Sequence, residues 1–314
     1  MSIEPAKGIA GLKGALRYVR AYRDQIFVIK LGGEVLHQAE ALSGVAAQLS
    51  LLSSLGVRLV IVHGGGPQAS ALSRKLGSEP KIIAGRRVTD DTALEAVVMS
   101  VAGQLNVAVL SALRAHHVRA VGLSGVDAEL VSAHKRPPVQ VVDDNGQEQL
   151  VDFGHVGDID RVDPRVLETL LQSGYVPVVS CLAGDENGSV FNVNADTMAE
   201  SLAVALRAQK LIFLTSAPGV LRDRNDPSTL VTFADPDDLA SLLSSSAIAG
   251  GMRPKVEACI RAATGGVERT HIIDGAATDS LLFEVFTGAG CGTMIVGRKE
   301  KATYLGVDLA ALLG

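Results

Sequence analysis

Short aliphatic runs that stop at a glycine-rich turn recur along this chain, each followed by a helical pattern. Ile26-Phe-Val-Ile-Lys-Leu31 runs into Gly32-Gly33, and Val57–Val62 runs into His63-Gly-Gly-Gly66. Residues 39–55 between them carry helical spacing, as do 67–77 and the long stretch Asp90–Leu113. Val118–Leu123 then runs into Ser124-Gly125. Strands with no polar face must be covered on both sides, as in a mainly parallel sheet flanked by helices. The alternation therefore predicts an α/β fold.

Residues 134–158 interrupt this rhythm. Val139-Gln-Val-Val and Gln149-Leu-Val-Asp-Phe flank Asn145-Gly146, a strong hairpin turn, and predict an exposed β-hairpin that could act as a lid. The alternation resumes with strands at Tyr175–Ser180, Leu211–Thr215, His271–Ile273 and Thr293–Val296, and helices over 194–208, 235–246 and 254–264. The polar break Asp185-Glu-Asn-Gly-Ser189 reads as a domain border, dividing the chain into lobes 1–190 and 191–314. Ahead of the first strand, Ile9, Leu12, Leu16, Val19 and Tyr22 have the spacing of an amphipathic helix over residues 5–24.

With 29 Lys+Arg against 34 Asp+Glu, the chain lacks the electrostatic footprint of a nucleic-acid binder, so an anionic substrate needs a local positive site. Three scattered cysteines, Cys181, Cys259 and Cys291, fit neither a disulfide framework nor structural zinc. No signal-like stretch opens the sequence and no run of about 18 apolar residues occurs, so a soluble, cytoplasmic protein without a membrane partner is expected.

Open α/β sheets bind ligands beyond the carboxyl ends of their strands. Three glycine turns lie there: Lys30-Leu-Gly-Gly33, His63-Gly-Gly-Gly66 and Leu123-Ser-Gly125. Each is either a tight strand-to-helix turn or an anion nest of backbone N–H groups. Lys30 is either a rim lysine or a cation aimed at phosphate. In Gly85-Arg-Arg-Val-Thr-Asp90, adjacent arginines point to different sides, and one can clamp a carboxylate. Asn192-Val-Asn-Ala-Asp196 is either a plain N-cap cluster or a source of substrate contacts. Gly250-Gly-Met-Arg-Pro-Lys255 places a cation in a first helical turn, against the dipole, which suggests a phosphate contact. The protein-kinase look-alikes Phe27-Val-Ile-Lys30 and Asp152-Phe-Gly154 lack their companion catalytic loop, and the dipeptide Gly-Lys of a Walker A loop is absent.

In order along nearly the whole chain, these pieces, with Gly122-Leu-Ser-Gly-Val-Asp127, Gly154-His-Val-Gly157 and Pro218-Gly-Val220, resemble the amino acid kinase family, and within it the arginine-inhibited acetylglutamate-phosphorylating type. The resemblance implies a three-layer αβα sandwich and phosphoryl transfer from ATP, with Mg²⁺, to N-acetyl-L-glutamate. It implies that Lys30 and Lys255 stabilise the transferring group and that Asp196 orients both. Gly32, Gly33, Gly65 and Gly66 would supply N–H donors, Arg87 and Asn192 would hold the substrate, and Thr215, Ser216, Gly219, Gly250 and Gly251 would hold the nucleotide. It further implies L-arginine as an inhibitor at His271, Glu284 and Gly290, and a homodimer, or a homohexamer built through the N-terminal helix. Departures are Ser216, where the family carries Asp, Arg253 beside Lys255, and the stretch 298–314 past the family's usual end. Two alternatives stand beside this reading: a kinase for a carrier-bound aminoadipate, which the acidic hairpin Asp143–Glu148 disfavours, and a non-catalytic arginine-sensing regulator.

Overall fold

The structure is a computed structural model that describes residues 16–142, 147–245, 248 and 250–297. One eight-stranded sheet organises it. In spatial order its strands are Phe233–Ala234, Thr293–Val296, Arg269–Asp274, Lys210–Thr215, Ile26–Leu31, Arg58–His63, Val176–Ser180 and Ala120–Ser124. Neighbours run parallel except Arg269–Asp274 against Thr293–Val296.

The two-sided burial read from the sequence follows from side-chain alternation along each strand. Val28, Val60, Val62, Leu211 and Phe213 face one core with helices Arg165–Gln172, Ala195–Ala205, Pro236–Ser244 and Met252–Thr264. Phe27, Ile29, Leu31, Leu59, Ile61 and Leu214 face the other with helices Ala39–Ser54, Asn106–Ala115 and Ser280–Phe286. The result is the expected three-layer αβα sandwich. Lys30 alternates onto the first face, toward helices Ala195–Ala205 and Met252–Thr264.

The long helical pattern at 90–113 is a continuous helix over Asp91–Ala115, with a π-helical stretch at Met99–Leu105. By length and composition it could cross a membrane, but Ala96, Val97, Val101, Leu105, Val109 and Leu113 bury it in the fold. Residues 134–158 hold more than a hairpin. Val139–Val142 pairs with Glu148–Val151, a hairpin whose second strand begins one residue before the Gln149–Phe153 run and ends at Val151, with the turn 143–146 outside the described residues. The flanks Val131–Lys135 and Gly157–Val162 join Leu182–Gly184 and Val190–Asn192 in a second, four-stranded sheet that was not foreseen. Asp185–Ser189 is the turn between the last two of these strands, and the 190/191 division falls inside Val190–Asn192. Of the N-terminal helix, residues 16–22 are helical, and residues 1–15 lie outside the described residues, as does 298–314. Tyr22 is buried edge-on against Phe27, 5.2 Å between ring centres.

Chain order makes Ile26–Leu31 the switch point of the sheet: the next strand, Arg58–His63, lies on one side and the late strand Lys210–Thr215 on the other. A crevice opens there at the carboxyl ends, where open α/β sheets bind ligands.

Candidate active site

Lys30 ends the buried central strand, and Asp196 is the second residue of helix Ala195–Ala205, which Asn194 caps through Oδ1 to the Asp196 and Thr197 amides. The plain N-cap reading is therefore right for Asn194, and it fixes where Asp196 points. Lys30 Nζ lies 2.8 Å from Asp196 Oδ1 and Lys255 Nζ lies 3.2 Å from Oδ2. The three side chains are 8 %, 14 % and 6 % exposed for Lys30, Lys255 and Asp196. Burial alone would raise the Asp196 pKa, but the charges of Lys30 and then Lys255 outweigh it and hold the carboxyl below its usual range. Lys255, in the first turn of helix Met252–Thr264, also donates to Gly251 O at 3.1 Å. One carboxylate thus holds one buried and one half-buried ammonium group, a geometry that leaves net positive charge for an incoming anion.

This triad sits where two cavities meet. The larger, about 570 Å³, is lined by Lys30, Gly32, Gly33, Gly65, Gly66, Arg87, Asn192, Asp196 and Lys255 among others, so it gathers every predicted catalytic and acceptor residue. Its charged lining is Lys30, Arg86, Arg87, Arg136 and Lys255 against Glu34 and Asp196, the local positive site that a net charge of −5 required. Arg87 Nη2 donates to Gly66 O at 2.8 Å and to Ser70 Oγ at 2.6 Å, while its buried Nη1 has no partner among the described residues. Desolvation and then the nearby Arg74 charge lower its pKa. A desolvated guanidinium with a free nitrogen and no carboxylate is poised for an anionic ligand. Asn192 Nδ2 reaches Thr89 Oγ1 at 3.3 Å.

The glycine turns divide by role. Gly66 opens the ten-residue helix Gly66–Lys75, whose first-turn amides have no intrahelical acceptor. A Cβ on Gly65 would stand 2.8 Å from Val101 Cγ1, so glycine here lets the loop close on the π-helical stretch. The Gly32 amide does not match its expected role as a phosphate donor: it is committed to Leu214 O at 2.8 Å, closing the two strands at the switch point. The third turn, at Ser124-Gly125, lines neither cavity; Ser124 is bound to Asp127, and a Gly125 Cβ would lie 2.2 Å from Leu182 O. His63 is buried with a pKa lowered to about 4, first by desolvation. Its Nδ1–H donates to Gly64 O at 3.0 Å, which leaves Nε2 to accept from Asn106 Nδ2 at 3.2 Å. This neutral imidazole props the turn.

The second cavity, about 360 Å³, is lined by Glu34, Thr215, Ser216, Gly219, Leu221, Arg224, Ile248, Gly250, Gly251, Met252 and Lys255 among others, and so contains every residue predicted to hold the nucleotide except Gly32 and Gly33. Leu221, Ile248 and Met252 offer an apolar bed for a base, and Gly250-Gly251 brings open backbone up to the N-terminus of a thirteen-residue helix. These residues fit a nucleotide. No cluster of three His, Cys, Asp or Glu suited to a metal occurs among the described residues.

His271, Glu284 and Gly290 also come together, apart from both cavities. His271 Nδ1 lies 2.7 Å from Glu284 Oε1, and Glu284 Oε2 accepts the Cys291 and Gly292 amides at 2.7 and 3.3 Å. A Gly290 Cβ would lie 3.0 Å from Glu284 Oε2. Burial would raise the Glu284 pKa, but the His271 hydrogen bond and the backbone donors bring it to about 2, while burial and then Lys210 lower His271 to about 4. The contact is therefore a hydrogen bond from a neutral imidazole to a carboxylate. Lys210 Nζ meets His271 Nε2 at 3.1 Å and lies 5.1 Å from the Tyr22 ring centre.

Sequence reasoning missed Glu34, Ser70, Arg136, Arg224 and Lys210. Glu34 directly follows the glycine pair, which was a usable signal. Arg136, which pairs with Asp158 at 3.0 Å through Nε, needed the unforeseen second sheet to be placed.

The sequence profile of the amino acid kinase family matches residues 25–274. An acetylglutamate kinase of Myxococcus xanthus is 48% identical over 293 residues, 93% of this chain and 95% of the relative. One of Methanothrix thermoacetophila is 42% identical over 281 residues, covering 90% and 96%. Among solved structures, N-acetylglutamate synthase from Neisseria gonorrhoeae, complexed with coenzyme A and N-acetyl-glutamate, aligns with a TM-score of 0.77 at 31% identity over 92% of this chain, which spans 63% of that one. Carbamate kinase from Giardia lamblia bound to AMP-PNP shares the fold, with a TM-score of 0.61 at 17% identity over 87% and 98%.

Proposed function

The chain belongs to the amino acid kinase family, and we propose that it transfers the γ-phosphoryl group of ATP to the γ-carboxylate of N-acetyl-L-glutamate, the second step of arginine biosynthesis. The observation that carries this reading is the pair of ammonium groups on Asp196 at the junction of the two cavities. An anionic acceptor in one cavity and an anionic donor in the other must meet there. Catalysis is then positioning and charge neutralisation. The acceptor carboxylate is already ionised near neutral pH, so no general base is needed.

In this reading Lys30 and Lys255 bind the transferring phosphoryl group, and Asp196 fixes both. The free Arg87 Nη1 takes the α-carboxylate, Asn192 takes the acetylamino group, and the Gly65-Gly66 backbone steadies the acceptor. The lobe 1–190 supplies most of the acceptor side. The lobe 191–314 holds ATP through the Thr215–Gly219 turn and Gly250-Gly251. Mg²⁺ bound to the donor phosphates would add charge neutralisation. The enzyme works in the cytoplasm as a homodimer or a homohexamer.

We extend the reading to inhibition by L-arginine at the His271–Glu284–Gly290 cluster, with Lys210 and Tyr22 as further members. A guanidinium would compete with the Cys291 and Gly292 amides for Glu284 Oε2. Turnover unchanged by millimolar arginine would rule this out.

The main test is ATP-dependent acyl-phosphate formation, trapped as the hydroxamate, with N-acetylglutamate, glutamate, aspartate and N-acetylaspartate as acceptors. Turnover confined to N-acetylglutamate is expected. No turnover with any acceptor in a folded, Mg²⁺-supplied sample would overturn the reading.

A further inference from the structure

The two cavities share only two of their lining residues, Lys255 and Glu34. Lys255 has an assigned task. Glu34 does not, and its charge is the wrong sign for a place where phosphates meet a carboxylate.

Two acidic residues line the cavities. Asp196 is held between two ammonium groups. Glu34 has no ion-pair or hydrogen-bond partner among the described residues. Its carboxylate folds back over the glycine turn: Oε2 lies 3.1 Å from where a Gly32 Cβ would stand. Exposed and lining both cavities, it stands at their junction, where an unpaired carboxylate repels the anions that the lysines and arginines attract.

A divalent cation turns that repulsion into attraction. Mg²⁺ takes one or two carboxylates and substrate phosphates and keeps several of its waters. The described residues offer no cluster that could cage a metal. Glu34 is the one uncommitted carboxylate on the path. Resting on the phosphoryl-transfer reading, we propose that Glu34 is a positioning residue that holds, through its water shell, the divalent cation accompanying the donor phosphates, and so sets the donor's seat at the junction.

The test uses the full chain and the non-hydrolysable analogue β,γ-imido-ATP. Its affinity is measured by titration calorimetry with Mg²⁺ and with EDTA, for wild type, Glu34→Gln and Glu34→Asp. A unit charge about 6 Å from a divalent ion, across one water in bulk-like dielectric, is worth about tenfold in affinity. The metal preference of wild type should therefore fall about tenfold in Glu34→Gln and return in part in Glu34→Asp. Metal-free binding should stay equal or tighten, because a repulsive charge has gone. Equal losses with and without metal, or an unchanged preference, overturn the proposal. Wild type that binds nucleotide without metal preference overturns it and leaves the kinase reading standing; wild type that binds no nucleotide overturns both.

Discussion

Replacing Asp196 by Asn keeps the size of the side chain and removes the charge that holds the two ammonium groups. At an effective dielectric of about 20, contacts of 2.8 and 3.2 Å correspond to gross attractions of about 6 and about 5 kcal/mol. Repulsion between the lysines and the desolvation of all three groups offset much of this. Breaking a buried ion pair from one side costs a net ~3–5 kcal/mol, since the surviving charge stays buried. The melting temperature should therefore drop by on the order of 10 °C. Activity should fall further than stability explains. With both donors released from their aim, kcat should decline by at least ~10²–10³, the usual cost of one misplaced charge-stabilising donor. The assay pairs a thermal melt with hydroxamate turnover measured well below the variant's midpoint, so that unfolding cannot pass for lost chemistry. A folded Asp196→Asn enzyme with kcat within about threefold of wild type would refute the argument that Asp196 aims the lysines.

Other outcomes follow from the same structure. Arg87→Ala should raise KM for N-acetylglutamate by about 10–100-fold with a smaller change in kcat, because a clamp on a remote carboxylate binds ground and transition states alike; steady-state kinetics decide. Gly154 has φ +70 and a Cβ there would meet Thr89 O at 2.2 Å, so Gly154→Ala should cost at least ~1–3 kcal/mol by denaturant melt. His63 and His271 are lowered from 6.5 to about 4, so the unfolded chain binds more protons between those values. Their contribution to stability is full above about pH 6.5, declines as pH falls toward 4, and should lose part of its slope in His63→Gln when melts are run across that window.

Much of this fold was legible because its strands are buried on both faces. Ile26–Leu31 and Thr293–Val296 have the bounds their aliphatic runs suggested, and the glycines at the carboxyl end of Ile26–Leu31 marked the crevice. The second sheet was not legible. Its strands Leu182–Gly184 and Val190–Asn192 are three residues each and flank a polar turn, so the local pattern read as a border. Helix Gly33–His37 is five residues long and shows no helical period.

The candidate site divides in the same way. Lys30 and Lys255 stood out because charge sat where local rules disfavour it: at the end of an apolar strand, and in a first helical turn against the dipole. Asp196 lies in a first turn where an acid is favoured, so the family resemblance singled it out. Asn194 and Asn192 looked alike in sequence, and only the cap geometry separates them. Lys210 fell just outside the strand Leu211–Thr215 read from the sequence, and in the structure it opens that strand. Its burial depends on Tyr22 and His271, 188 and 61 residues away in the chain.

Lys30 and Lys255 act on the group in flight rather than on nucleotide binding. Lys30→Met, with turnover and β,γ-imido-ATP affinity measured on the same preparation, addresses this most directly. The expected result is kcat lower by ~10²–10³ with nucleotide affinity within a few-fold of wild type. Retained kcat, or a loss confined to nucleotide affinity, would contradict it.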